Sequence, residues 1–174
     1  MDVSRFFAPD YQEARRKFLA SAEKAGAALD HFRHPTEKGP DGRPLYIDTA
    51  WFGPKDAPVV LVAFSGTHGA EGFAGSAAQI QWMEEGTQKR LPKGVAVLKV
   101  HAVNPFGFSH MIRVSEGNVD LNRNWVDYSK PLPPNPIFEE VEAALPTREG
   151  YDDELVEQQD RKSTRLNSSH VKRS

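Results

Sequence analysis

Pro58-Val59-Val60-Leu61-Val62-Ala63-Phe64, followed by Ser65-Gly66-Thr67-His68-Gly69-Ala70-Glu71-Gly72, is the stretch that decides how this chain folds. The first part is a short run of mostly β-branched apolar residues, the pattern of a strand buried on both faces. The second part is a glycine-rich loop. It leads into Phe73 to Glu85, where Phe73, Ala77, Ile80, Gln81 and Glu84 fall at helical spacing with one apolar edge. After Leu91-Pro92-Lys93-Gly94 a second apolar run, Val95 to Val103, stops at Asn104-Pro105. Strand, loop, helix, turn and strand in that order predict a βαβ unit in a largely parallel sheet, an α/β fold. Ligands in such sheets bind beyond the carboxyl ends of the strands, which puts the loops after Phe64 and after Val103 on one functional edge.

Upstream, Pro9-Asp10 is a helix start signal, and Tyr11, Ala14, Phe18, Ala22 and Ala25 share one face of a helix expected over Tyr11 to Leu29. His31 to Pro35 reads as loop, and Gly39-Pro40-Asp41-Gly42 as a turn before a strand over Leu45 to Phe52. Downstream, Gly107 to Asp127 has little periodicity, which in a compact domain is usually functional. Pro131 to Pro136 is a proline-rich turn, and Ile137 to Leu145 a short helix ending before Pro146. The core pattern then fades, so residues 1–147 are expected to be the folded part and residues 148–174 an acidic, then basic, tail outside the core.

The 174 residues have the length of one domain, and 39% hydrophobic with 26% charged content excludes wholesale disorder or a fibrous repeat. With no cysteine there is neither a disulfide framework nor a thiolate metal site, so His, Asp and Glu are the available protein ligands. Met1 to Phe7 lacks the apolar core of a signal peptide, and Val59 to Phe64 is far too short to span a bilayer; a cytoplasmic protein without membrane partners is expected. Residues 161–174 hold five basic residues and no acidic one, leaving 17 basic against 24 acidic in residues 1–160, a net charge of −7. A body of that sign argues against nucleic acid as a partner.

His68 and Glu71 stand three residues apart where the strand-end loop meets the helix, a spacing at which two side chains converge on one point. Zinc accepts imidazole nitrogen and carboxylate oxygen, and a catalytic site commonly uses three such ligands with a position left for water. Gly66, Gly69 and Gly72 would let the backbone turn and leave room for metal and substrate. The plainer reading is that Glu71 complements the positive end of the following helix, worth about 0.3–1 kcal/mol. A second group is Asn118-Val119-Asp120-Leu121-Asn122-Arg123-Asn124-Trp125, with Arg113 upstream. Arginine grips a carboxylate in a two-pronged fork and a neighbouring asparagine amide adds an oriented hydrogen bond, a set suited to an anionic substrate end. Arg113 alternatively faces a reacting carbonyl and stabilises its oxyanion. Each arginine on its own is also an ordinary surface residue.

Gly66-Thr67-His68-Gly69-Ala70-Glu71-Gly72, then Asn104-Pro105-Phe106-Gly107, then Asn118 to Trp125 together resemble the zinc carboxypeptidase and aspartoacylase superfamily, and more closely a bacterial branch named only as a domain of unknown function. The resemblance covers about residues 45–127. It implies an α/β sandwich with a mixed sheet flanked by helices, one catalytic zinc, and hydrolysis of an amide bond in a small peptide or acylated amino acid bearing a carboxylate. By position, His68 and Glu71 match the first two zinc ligands, Asn122 and Arg123 the pair that grips the substrate carboxylate, and Arg113 the oxyanion-stabilising arginine.

In that superfamily a third ligand, a histidine, and a general-base glutamate come from later in the chain. His101 lies within a strand pattern, His110 precedes the substrate-gripping motif, His31 and His34 lie before the sheet, and His170 is in the tail. Arg161 to His170 resembles translated sequencing-adapter sequence, so residues 161–174 are read as foreign and the chain as a piece that lacks the second half of its site. The competing reading is a non-catalytic module in which Arg113, Asn122 and Arg123 hold a carboxylated ligand without metal. A nucleotide loop is disfavoured by the absence of Gly-Lys-Ser/Thr and of G-x-G-x-x-G, and a serine hydrolase by the absence of G-x-S-x-G.

Overall fold

Helix α1 (Tyr11–Lys24) opens the fold, and its start and stop are written in local chemistry. The Asp10 carboxylate accepts the Glu13 N–H at 2.8 Å, capping the first turn. At the other end Gly26 takes φ +79°, while the N–H groups of Gly26 and Ala27 return to the carbonyls of Glu23 and Ala22. That paired closure is the Schellman ending, which only glycine adopts without strain. The helix therefore stops before Leu29, where the periodicity alone had suggested it would reach.

In a computed structural model that describes residues 2–131 and Ile137, four strands follow: β1 (Ala28–Lys38), β2 (Pro44–Phe52), β3 (Val59–Phe64) and β4 (Val95–His101). They form one sheet in the order β1-β2-β4-β3. The fold is mixed α/β. Its one parallel pairing among the described residues is β3 with β4, joined through helix α2 (Gly72–Glu84) as the βαβ pattern requires. β1 with β2 and β2 with β4 are antiparallel, so the sheet is less parallel than the sequence suggests. The cause is the Gly39-to-Gly42 turn, which closes a hairpin with Gly42 at φ +76° and the Gly39 N–H on the Arg43 carbonyl at 2.9 Å. That hairpin also draws His31 to Pro35, expected as loop, into β1, where His31 stands directly opposite Asp48.

Both long helices pack on one face of the sheet. Phe18 and Ala22 of α1, Ala77, Ile80 and Met83 of α2, Ala50 and Phe52 of β2 and Val97 of β4 make the main core. Asp48 is wholly buried beside it, held by a two-pronged Arg15 contact at 2.7 and 2.9 Å and by His31 Nδ1 at 2.6 Å. This ties α1 to the hairpin. β3 departs from expectation: among the described residues it is an edge strand, and Val59 to Val62 and Phe64 are exposed rather than covered on both faces.

Beyond β4 the chain forms the short helix α3 (Pro105–His110), with Pro105 in its first turn and the Asn104 side chain accepting the Gly107 N–H at 2.8 Å. A 3-10 turn over Leu121–Arg123 follows. No helix among the described residues is long and apolar enough to cross a membrane. The chain divides into two compact units, Met1–Trp125 and Val126–Ser174. In the second, Asp127 accepts hydrogen bonds from the Ser129 N–H and hydroxyl and pairs with Lys130. The helix expected over Ile137 to Leu145, apart from Ile137 itself, and the tail with His170 lie outside the described residues.

Candidate metal and substrate site

The loop between β3 and α2 is pressed against α3 so closely that two of its glycines have no alternative. A Cβ on Gly69 would collide with the backbone of Gly107, and one on Gly72 would enter the Phe108 ring. These glycines serve close packing of loop on helix, rather than room for metal and substrate as their number in the loop suggests. The Gly69 N–H also reaches the Arg113 carbonyl at 3.4 Å, which draws the segment after α3 alongside His68.

His68, Glu71, Arg113 and Asp120 meet there. Glu71 occupies the cap position of α2 and makes no side-chain cap hydrogen bond, so its effect on the helix end is limited to the charge it sets beside the dipole. Its carboxylate faces His68 Nδ1 instead, at 3.2 and 3.3 Å. The other ring nitrogen, Nε2, lies 2.9 Å from Asp120 Oδ1. An ionised carboxylate only accepts, so Nε2–H donates to Asp120. The Asp120 carboxyl is raised by desolvation, but hydrogen bonds from His68, from Arg113 Nε at 3.0 Å and from the Asn122 backbone N–H at 2.9 Å outweigh this and bring it down to about 2. With Nε2–H on Asp120, Nδ1 faces a second acceptor, the Glu71 carboxylate. A ring proton, a bridging water or a cation between them would satisfy that arrangement.

The spacing suits the third option. Two ligands at about 2.0–2.1 Å from a tetrahedral zinc ion stand about 3.3 Å apart, close to the separation of Nδ1 from the Glu71 oxygens. Among the described residues, however, no third His, Asp or Glu completes a group able to hold a metal. His31 pairs with Asp48, and His34 with Glu116 at 3.2 Å. His101 is fully buried with Nε2 on the Ser76 hydroxyl at 3.0 Å, and His110 bonds the Lys38 carbonyl.

Arg113 lies across the mouth of this cluster, 3.8 Å from Glu71 as well as bonded to Asp120. Asn122 and Arg123 are exposed on the 3-10 turn that Asp120 caps, and among the described residues Arg123 donates only to the Asn122 carbonyl at 3.3 Å. Among the described residues no carboxylate pairs with Arg123, and the residue is exposed. A cavity of about 390 Å³ opens beside Leu121, between Phe32, His34 and Ile47 of the hairpin and Asn104 and Glu116. Asp120 is the residue that sequence reading passed over. Its position two before Asn122, inside a motif already singled out, was the only signal.

The family described as "Protein of unknown function (DUF2817)" matches residues 7–173. No curated protein matches significantly. Among solved structures, the Fimbriiglobus ruber glutaminyl cyclase is similar at 15% identity and a TM-score of 0.40, over 57% of this chain and 41% of that one. A Zn-dependent exopeptidase from Parabacteroides distasonis gives 10% identity and a TM-score of 0.41 over 58% and 41%. The Porphyromonas gingivalis glutaminyl cyclase gives 15% and 0.39 over 59% and 48%. The chain spans less than half the length of each of these structures.

Proposed function

The chain belongs to the DUF2817 family, and from that starting point we propose that it carries the first half of a zinc-dependent site that hydrolyses amide bonds. The observation that supports this is the pose of His68: Nε2 held by Asp120, Nδ1 turned to the Glu71 carboxylate at 3.2 Å. His68 and Glu71 would hold the metal. When bound, zinc polarises an amide carbonyl and makes water a better nucleophile near neutral pH. Arg113 stands beside Glu71, placed to steady negative charge developing on the carbonyl oxygen. Asn122 and Arg123 would bind the carboxylate of a small peptide or acylated amino acid, fixing which bond lies at the metal. The third ligand and the general base lie outside this set, so the 174-residue chain by itself is proposed to bind zinc weakly and to hydrolyse nothing.

One observation favours a second reading. Arg113 bonds Asp120 and approaches Glu71 at 3.8 Å, a cation already beside both carboxylates, while Asn122 and Arg123 stay exposed, as a module that holds a carboxylated ligand without metal would need. Equilibrium dialysis of the chain against zinc separates the two. Weak uptake lost in both His68→Ala and Glu71→Ala supports the metal site, and no uptake at any concentration rejects it. Tight one-to-one uptake with amide hydrolysis would reveal a third ligand in this chain and overturn the half-site proposal.

A further inference from the structure

β1 does not pair evenly with β2 along its whole length. Arg33 stands opposite Tyr46 and Lys38 opposite Pro44, so His34, Pro35, Thr36 and Glu37 together span what Leu45 spans alone. Pro35 has no N–H to give to a ladder, and the extra length bends the strand out of line, a device that re-aims side chains near functional sites. Here the side chain re-aimed is that of His34. The Glu37 N–H folds back onto His34 Nδ1 at 3.1 Å. A ring nitrogen that accepts carries no proton, so Nε2 holds it and donates to Glu116 Oε1 at 3.2 Å. The imidazole is largely enclosed, its side chain being 13% exposed. A second bond runs between the same parts of the chain: His110 Nε2–H donates to the Lys38 carbonyl at 3.2 Å, tying the end of α3 to the end of β1.

Glu116 sits at the tip of the loop that carries Arg113 and Asp120. The loop is closed at its base by Arg113 Nε on the Asp120 carboxylate at 3.0 Å, and one rung further out by the Ser115 N–H on the Val119 carbonyl at 3.0 Å. The Asn118 N–H on the Ser115 carbonyl at 2.9 Å turns the tip, with Asn118 at φ +57°. The base is bonded to the β3–α2 loop, Asp120 to His68 and the Arg113 carbonyl to the Gly69 N–H. A loop held at its base alone still swings about it, and a bond at the tip removes that freedom. We propose that His34 is a positioning residue for this site: by holding Glu116 it fixes the direction of the Arg113-to-Asp120 loop, and through Asp120 it keeps the His68 ring turned to Glu71. What this serves rests on the reading of His68 as a metal ligand, whereas the chain of contacts is independent of any metal. Among the described residues neither the His34 nor the Glu116 side chain bonds His68, Glu71, Asn122 or Arg123, so their effect passes through the loop.

Ring-proton NMR and zinc titration of the 174-residue chain test it. In the parent chain the His68 Nε2 proton, held on Asp120, should give a slowly exchanging signal. His34→Ala and, separately, Glu116→Ala should leave the circular dichroism unchanged, broaden or abolish that signal, and weaken zinc binding about five-fold, the worth of one hydrogen bond. Glu116→Gln keeps an acceptor for the His34 Nε2–H and should restore both the signal and the affinity of the parent, which a role in bulk packing would not predict for one atom. Glu116 lies on an exposed loop, so its two variants carry the test even where His34→Ala does not fold. A ring signal unchanged in both alanine variants overturns the proposal, as does a Glu116→Gln chain as impaired as Glu116→Ala, or a parent chain without the signal. A parent chain that takes up no zinc sinks the metal reading alone, and the ring signal still decides this one.

Discussion

His68 and Asp120, 52 positions apart, meet at 2.9 Å through Nε2 and Oδ1, and this contact fixes which nitrogen of the ring is left to bind anything else. The same aspartate receives Arg113 and the Asn122 N–H, so one carboxylate orients both a candidate ligand and the turn that carries the candidate substrate grip.

Asp120→Asn should keep the fold and loosen the site. An amide at this position is no longer the charged acceptor that fixes the ring tautomer, and loss of such a supporting partner typically lowers metal affinity about 10- to 100-fold. Competition titration of zinc against a chelator indicator reads this directly. Affinity equal to the parent protein would show that Asp120 does not orient His68 for a metal.

Arg123→Ala, made in a longer protein that hydrolyses amides, should mainly raise KM for substrates bearing a free carboxylate, with about 2–3 kcal/mol lost from a charge-assisted pair. Amidated analogues should be affected far less. Equal losses for both kinds of substrate would remove Arg123 from the carboxylate-binding role.

The buried His101 makes stability fall toward acid. Burial is the main cause that lowers its pKa, from an ordinary 6.5 to about 4, against a smaller upward pull from Asp48. The folded state therefore keeps the ring neutral, and the unfolded chain takes up its proton first as pH drops. Stability from this residue is complete above about pH 6.5, is lost between 6.5 and 4, and amounts to roughly 3 kcal/mol at most. Urea unfolding across that range should show the slope, and His101→Phe should flatten it. An unchanged slope in the variant would assign the effect to other groups.

Asp48→Asn should destabilise the chain by about 3 kcal/mol, because it leaves Arg15 without its buried counter-charge beneath α1. Denaturant titration at neutral pH measures it. A loss below about 0.5 kcal/mol would mean that water replaces the carboxylate freely, as at a surface pair.

The βαβ core and the meeting of His68 with Glu71 were legible because each rests on residues close in sequence: an apolar run, a loop, a helix, a three-residue spacing. The parts that were not legible depend on distant partners. The His31-to-Pro35 segment has loop-like composition, yet pairing with β2 makes it strand. Helix α3 was announced by Asn104-Pro105, a cap followed by proline in the first turn, but its six residues are too few for periodicity to register. β3 was read as covered on both faces because an uncharged apolar run shows what a strand tolerates, and it says nothing of what lies beside it. Asp120 has no feature of its own that marks it; only contact with a histidine 52 residues earlier does.

The seating of Gly69 and Gly72 on Gly107 and Phe108 bears on how the molecule assembles. These contacts join segments about forty residues apart, as does the β3–β4 pairing, so loop seat and sheet share the entropy of closing the same span. Weakening the seat of α3 should blunt the site well before the sheet melts, and a graft of residues 65–72 into another scaffold would carry the residues without the geometry.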